Sequence, residues 1–196
     1  MRIEKKPTSA IILAGGFSSR MGREKAELDF HGVSFLRHQV FKLQSLGIKD
    51  IVVSGCENAP EGCRFVPDVY PHRGPISGIH AGLLAIKEDR ALVLAVDTPL
   101  VPERLLQGLI GRHRAGITLV TCQGEIEPLI GVYDKSLAQT CEETLRGEKT
   151  SVLRFCREAG FSALPYTGDP ALLMNCNTPE DYETIKAIET RENDNG

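Results

Sequence analysis

The chain lacks the cysteine pairs of a metal-binding protein. Its six cysteines stand at 56, 63, 122, 141, 156 and 176, and no two form C-x-x-C, so their spacing does not suggest zinc. Several lie in apolar segments, where Cys behaves as a small core residue. Free thiols are expected, as in a reducing cytosol. Long hydrophobic runs are also missing. Nothing approaches the ~20 apolar residues of a membrane span, and Met1–Pro7 has no apolar signal core. A cytoplasmic protein is expected, with no membrane association. Charge is close to balanced, with a net of −3 and a pI near 6.0, which gives no electrostatic basis for binding nucleic acid. No serine sits in a G-x-S-x-G elbow. The histidines at 31, 38, 72, 80 and 113 show no metal-ligand spacing and are read as structural. No repeat or linker divides the chain. Its 196 residues suit one domain, 1–196, with 1–8 and 191–196 expected to be flexible.

One stretch near the start organises the rest. The apolar run 10–13 reads as a buried strand. It stops at Gly15-Gly16, residues able to take the φ > 0 conformations that let a backbone turn sharply around a ligand. A loop of Ser, Gly and cations follows, through Arg20 and Gly22 to Lys25. Backbone N–H groups in such a loop form a nest for anions. Arg20 adds a planar fork suited to phosphate oxygens, and Lys25 a compact charge. A triphosphate site is the functional reading, and a Gly-Gly turn with solvated cations is the plain one. Two familiar phosphate loops are absent. Gly22 is followed by Arg23, and Lys25 by Ala26, which breaks G-x-x-x-x-G-K-[ST]. Gly15, Gly16 and Gly22 also miss the G-x-G-x-x-G spacing.

Strand and helix signals alternate from there. Phe35, Leu36, Val40, Leu43 and Leu46 mark an amphipathic helix that Gly47 ends. Strands are predicted over 50–53, 64–66, 91–96, 116–122, 129–133 and 161–166. Helices are predicted over 76–88, 103–113, around Leu137, Cys141 and Leu145, and from Val152 behind a Thr150 or Ser151 cap. The run 91–96 has no polar alternation, as expected of a parallel strand covered on both faces. A last helix opens at Thr178-Pro179-Glu180-Asp181, with a capping residue, Pro at the first position and an acid at the third. Its stripe is Tyr182, Ile185 and Ile188. The order predicts an α/β fold, a doubly wound and mostly parallel sheet with helices on both faces. Ligands bind such sheets beyond the carboxyl ends of the strands. The loop after Leu13, Ser54-Gly55 and Asp97 fall there, and the connection 123–128 and the start of the final helix are expected to close the other half of the site.

Asp97 ends the most apolar strand. A carboxylate there can hold Mg²⁺ against phosphate oxygens, or it can cap the turn before Pro99. Asp68 suits a ribose hydroxyl or a base, although a turn-capping role explains it on local sequence alone. Gly78 and Gly82 lie four apart within a predicted helix, where each costs about 1 kcal/mol relative to Ala. Close approach of packed backbone or of a ligand would account for them.

The order Leu13-Ala14-Gly15-Gly16-x-Ser18-x-Arg20-Met21-Gly22-x-x-Lys25 resembles the signature of the nucleotidyltransferases, most of all the molybdenum cofactor guanylyltransferases. Gly74-Pro75-Ile76-Ser77-Gly78, Asp97-Thr98-Pro99, Glu127-Pro128-Leu129 and Asn175-Cys176-Asn177-Thr178-Pro179-Glu180 extend the resemblance in order along nearly the whole chain. The related cytidylyltransferases usually carry Leu-Ala-Ala-Gly at the loop and lack the Gly-Pro-x-x-Gly element. The resemblance implies transfer of GMP from GTP to molybdopterin with release of pyrophosphate. Leu13, Ala14, Gly15 and Gly16 would line guanine and phosphates, Arg20 and Lys25 would hold the triphosphate, and Asp68 would contact the nucleoside. Asp97 would bind Mg²⁺, and Gly78, Gly82, Asn175 and Asn177 would line the pterin side. Cofactor-delivery proteins and molybdoenzymes are implied as transient partners. Ser54 stands where family members often have Asn, and the spacer Arg23-Glu24 is one residue shorter than in some members. The alternatives are a transferase using CTP or another phosphorylated acceptor, and a GTP-binding assembly protein without turnover.

Overall fold

The computed structural model describes residues 6–15, 17–18, 23–147 and 150–194, with backbone alone at 17–18, 23–24 and 191–194. Seven strands form the central sheet: β1 (Ser9–Leu13), β2 (Ile51–Ser54), β3 (Cys63–Val66), β4 (Arg90–Ala95), β5 (Ile117–Cys122), β6 (Glu125–Asp134) and β7 (Ser162–Tyr166). Their spatial order is β7-β5-β6-β4-β1-β2-β3. β1 pairs in parallel with both β2 and β4, and only β6 runs against its neighbours. The strand order reverses between β1 and β4, so their carboxyl ends part around a crevice, the usual ligand position in such a sheet.

Among the described residues, six α-helices cover the sheet: α1 (Phe35–Ser45), α2 (Pro75–Ala85), α3 (Glu103–Arg112), α4 (Ala138–Arg146), α5 (Val152–Ala159) and α6 (Pro179–Asp194). Successive strand residues point to opposite faces. Accordingly Ala10, Ile12, Leu92 and Leu94 join α1, α3 and α6 in one core, while Ile11, Leu13, Ala91 and Val93 join α2, α4 and α5 in the other. The three layers match the predicted doubly wound sheet. Cys122, Cys141, Cys156 and Cys176 are buried thiols within or beside these cores.

Local signals were realised at several joints. Ser34 Oγ accepts from Arg37 N to start α1, and Gly47 takes φ 81° after it. Ser151, of the two predicted caps, starts α5 by accepting from Arg154 N. At α6 Thr178 Oγ1 accepts from Asp181 N, while Asp181 Oδ2 accepts from Asn177 N and Thr178 N, a reciprocal cap. The expected loop 123–128 differs. Gln123 and Gly124, at φ 51° and 85°, make a tight hairpin turn of the kind that matches strand twist. The predicted strand 129–133 accordingly begins at Glu125. Pro128 lies where the β5–β6 register shifts between Glu127 and Gly131, a position that tolerates a residue without an N–H. Of the ends expected to be flexible, residues 1–5 and 195–196 lie outside the described residues, and α6 runs on to Asp194.

Asp50 ties the opposite, amino-terminal side of the sheet together. Its carboxylate accepts from Ser9 Oγ (2.6 Å), Lys87 N (2.8 Å) and Arg64 Nη2 (2.7 Å). Burial pushes the carboxyl up, but the bonds from Ser9, Lys87 and Arg64 outweigh it and hold it below its ordinary value. Stability from such an acid is present above its unfolded pKa and disappears as pH falls through its folded one. Asp50→Ala is therefore expected to lower unfolding free energy by about 2–3 kcal/mol at neutral pH. Urea titrations should show that gap shrinking as pH drops below about 3.9.

Candidate functional site

The crevice at the strand switch is a cleft of about 440 Å³ lined by Leu13, Gly15, Lys25, Ser54, Gly55, Asp68, His72, Gly74, Pro75, Gly78, Ala95, Val96, Asp97 and Leu129. Its floor is backbone. Beyond the ends of the strands Ala14 N still donates to Ser54 O (2.8 Å), and Val96 N to Leu13 O (3.0 Å). A Cβ at Gly55 would lie 2.3 Å from Gly15 Cα, and Gly55 sits at φ +86°. No L side chain fits either constraint.

Cation and acid meet on one side. The two-residue ladder Phe17–Ser18 with Arg23–Glu24 turns the chain back after Gly15. A 3-10 turn, Lys25–Glu27, follows and is anchored by buried Ala26, Leu28 and Phe30. From it Lys25 Nζ donates to Asp97 Oδ2 (2.5 Å) and to Asn177 Oδ1 (2.6 Å). Asp97 and Lys25 keep only 16% and 14% of their side-chain surface exposed, enough access for a ligand at the cleft and little for bulk water. The Asp97 carbonyl accepts from Cys176 N at 2.8 Å, so the strand-end acid and the segment before α6 are fixed to each other.

The opposite wall carries Asp68, whose Oδ1 accepts from Ser54 Oγ at 2.7 Å. The segment from Asp68 to Gly74 is stapled at both flanks. Tyr70 O accepts from Ser77 Oγ, and Tyr70 OH donates to Glu142 of α4. Arg73 donates to the carbonyls of Leu145 and Gly147 at the end of α4. Between the staples His72 adopts φ 61°, unusual for a non-glycine residue, and reaches the cleft. Gly74, also at positive φ, starts α2 with Pro75 in its first turn at the cleft edge.

Six sequence-predicted residues thus share one cleft: Leu13, Gly15, Lys25, Asp68, Asp97 and Gly78. Asn177 reaches it through Lys25. Ala14 is buried behind the surface, with its N–H spent on Ser54. Asn175 is exposed and does not line the cleft. Arg20 and Gly16 lie outside the described residues. Gly78 has a packing reason in addition, since a Cβ would come within 2.7 Å of Ser54 Oγ and 2.8 Å of Leu13 Cδ2. Gly82 is not among the cleft's lining residues. It faces Ile11 under the sheet, where a Cβ would meet three Ile11 atoms at 2.7–2.8 Å, so close helix–sheet packing excludes a side chain there. His72 and Leu129 were not expected as lining residues. The turn-rich run after Asp68 was the available hint for the first, and Glu127-Pro128-Leu129 for the second. Among the described residues no three acids, histidines or cysteines cluster as a metal cage.

The packing account of Gly82 is checked by Gly82→Ala, which adds a better helix former. Denaturant unfolding should nonetheless show a loss of about 1–3 kcal/mol from overpacking against Ile11.

Comparison with known proteins places the chain in a family. Residues 10–163 match the family described as MobA-like NTP transferase domain. A protein of Carboxydothermus hydrogenoformans named a probable molybdenum cofactor guanylyltransferase is 31% identical over 185 residues, which cover 90% of this chain and 94% of that one. The molybdenum cofactor guanylyltransferase of Xanthomonas euvesicatoria is 31% identical over 188 residues, with 92% and 95% covered. The crystal structure of molybdopterin-guanine dinucleotide biosynthesis protein A from Archaeoglobus fulgidus superposes with a TM-score of 0.79 at 21% identity, over 94% of this chain and all of that one; at that identity the likeness concerns the fold. With the family matched across the sheet and the cleft it builds, this chain belongs to the MobA-like NTP transferases, among the molybdenum cofactor guanylyltransferases.

Proposed function

We propose that the chain transfers GMP from GTP to the terminal phosphate of molybdopterin and releases pyrophosphate. The observation that carries this reading is the meeting of Lys25, Asp97 and Asn177 beside the Gly15 backbone. An oxygen of the acceptor phosphate attacks the α-phosphorus of GTP. The bond from that phosphorus to its bridging oxygen breaks, and pyrophosphate carries off the electron pair. The attacking phosphate is already anionic, so no general base is assigned. The protein has to align two anions and offset their charge. Lys25 supplies a fixed cation at the cleft. Gly15, bare of a side chain, lets phosphates approach the backbone. Asp68 has one carboxylate oxygen occupied by Ser54 and another left to accept from a nucleoside donor.

The donor set fits Mg²⁺ of the kind that arrives with a nucleotide. Such an ion needs one or two carboxylates, with phosphates and water completing its shell, and Asp97 is a carboxylate at the cleft with no protein cage around it among the described residues. Asp97 would hold the ion, which when bound supplies charge neutralisation on the phosphates. Opening of the Lys25–Asp97 pair would then free the ammonium for phosphate oxygens. The Gly74-to-Gly78 element and the names of the relatives support GTP over CTP. No described helix is long and apolar enough to cross a membrane, in keeping with work in the cytoplasm, where delivery proteins and acceptor molybdoenzymes would meet it in passing.

Pyrophosphate release with molybdopterin and each of the four nucleoside triphosphates tests the assignment, GTP being the expected donor. Release with none, despite GTP binding, would favour a role in assembly without turnover. Lys25→Ala should keep the fold by circular dichroism and lose on the order of 10²–10³ in rate. Near-normal turnover in that variant would remove Lys25 from the mechanism.

A further inference from the structure

The face of α1 turned toward Asp97 is polar and buried. Gln39 has no exposed surface, and Lys42 has 8%. Gln39 Nε2 donates to Ala95 O (3.2 Å) and Thr98 O (2.9 Å). Lys42 Nζ donates to Pro99 O (2.5 Å) and Val101 O (2.9 Å). His38, one residue before Gln39, meets Pro99 O through its ring Nε2 at 3.2 Å. Four carbonyls on either side of Asp97 are thus gripped by donors from a single helix, with Gln39 and Lys42 three apart on one face.

This grip is a costly arrangement. Burial pushes the Lys42 amine down to about 8. Burial, with Lys42 close by, pushes the His38 imidazole down to about 4. Gln39 Oε1 is buried with no hydrogen-bond partner, so the amide keeps its two loop bonds and leaves its own acceptor unpaired. An apolar α1 over a loop folded another way would avoid all three costs. What the grip does achieve is a fixed path for the backbone from Ala95 to Val101, and so a fixed origin for the Asp97 side chain. Misplacement by ~1 Å far from the reacting atoms can cost about 10²-fold in rate.

We propose that Gln39 and Lys42 are positioning residues that act through Asp97, holding its carboxylate at the height in the cleft where nucleotide phosphates are met. The inference rests on the role given to Asp97 above. Its test is a double-mutant cycle read as pyrophosphate release from GTP with molybdopterin, well below the melting temperature of every variant. Gln39→Leu and Lys42→Met are each expected to fold and to lose about 10–10²-fold in kcat. Placed on Asp97→Asn, Gln39→Leu should cost less than about 2-fold more, because its effect passes through a carboxylate already removed. Its loss of thermal stability should persist in both backgrounds. A merely structural role would lower the melting temperature and leave kcat and KM alone, and that outcome overturns the inference. Independent multiplication of the Gln39→Leu and Asp97→Asn losses also overturns it. Should Gln39→Leu fail to fold, the same cycle with Lys42→Met decides the matter. If Asp97→Asn alone turns over at the native rate, the reading of Asp97 fails and takes this inference with it. If Asp97→Asn is impaired while Gln39→Leu and Lys42→Met are not, only this inference fails.

Discussion

Among the described residues the closest constraint at a glycine is the passage of two chain segments at the carboxyl ends of β1 and β2. Gly15 and Gly55 meet backbone to backbone, and a methyl group on Gly55 would fall 2.3 Å from its neighbour. Because neither chain carries a side chain there, the bonds from Ala14 to Ser54 and from Val96 to Leu13 continue the sheet past its formal end. That extension gives the cleft a floor of main chain. Leu13, Ser54 and Val96 then stand at fixed heights around it, and Gly78 of α2 can close against Ser54 and Leu13.

Charge is added to this floor from remote parts of the chain. Lys25 and Asp97 are 72 residues apart, and Lys25 and Asn177 are 152 apart. The sheet delivers Asp97, the buried Ala26, Leu28 and Phe30 anchor the turn that bears Lys25, and the cap of α6 holds the segment with Asn177. Each device is ordinary packing or capping. Their intersection is what produces a partly shielded cation beside an acid. In such surroundings an electrostatic contact is worth more than in water.

Local signals in the sequence reached much of this. An unbroken apolar run ending in Asp97 announced a central parallel strand, and Thr178 to Asp181 announced the start of α6. Gly15-Gly16 predict a sharp turn around a ligand; at Gly15 the structure shows a close backbone contact with Gly55 and no positive φ, and Gly16 lies outside the described residues. Features set by distant partners were not legible. His72 reaches the cleft because Tyr70 and Arg73 are fastened to α4, 72 residues on. Leu129 reaches it because the register slips at Pro128. Gly82 looked like Gly78, and only the neighbour differs: Ile11 under the sheet for one, the cleft wall for the other. The stripe of Phe35, Leu36, Val40 and Leu43 located the apolar face of α1. It said nothing of Gln39 and Lys42, because hydrophobic periodicity registers burial of carbon and not burial of donors.

The contact between Lys25 and Asn177 has a consequence for how the molecule loses its working form. Asn177 sits just ahead of α6, and that helix leans on the Asp29–Ser34 hairpin through Tyr182 OH to Asp29 O and through the His31–Glu189 pair. These two contacts lie at the surface, while Ile185 of the same helix is buried in the core and Tyr182 packs against it. Peeling α6 away would strip one corner from the lysine while all seven strands stayed paired. Regions of low local stability open well before a domain melts. The lysine's second contact therefore depends on how α6 is seated, which the pairing of the strands does not itself secure.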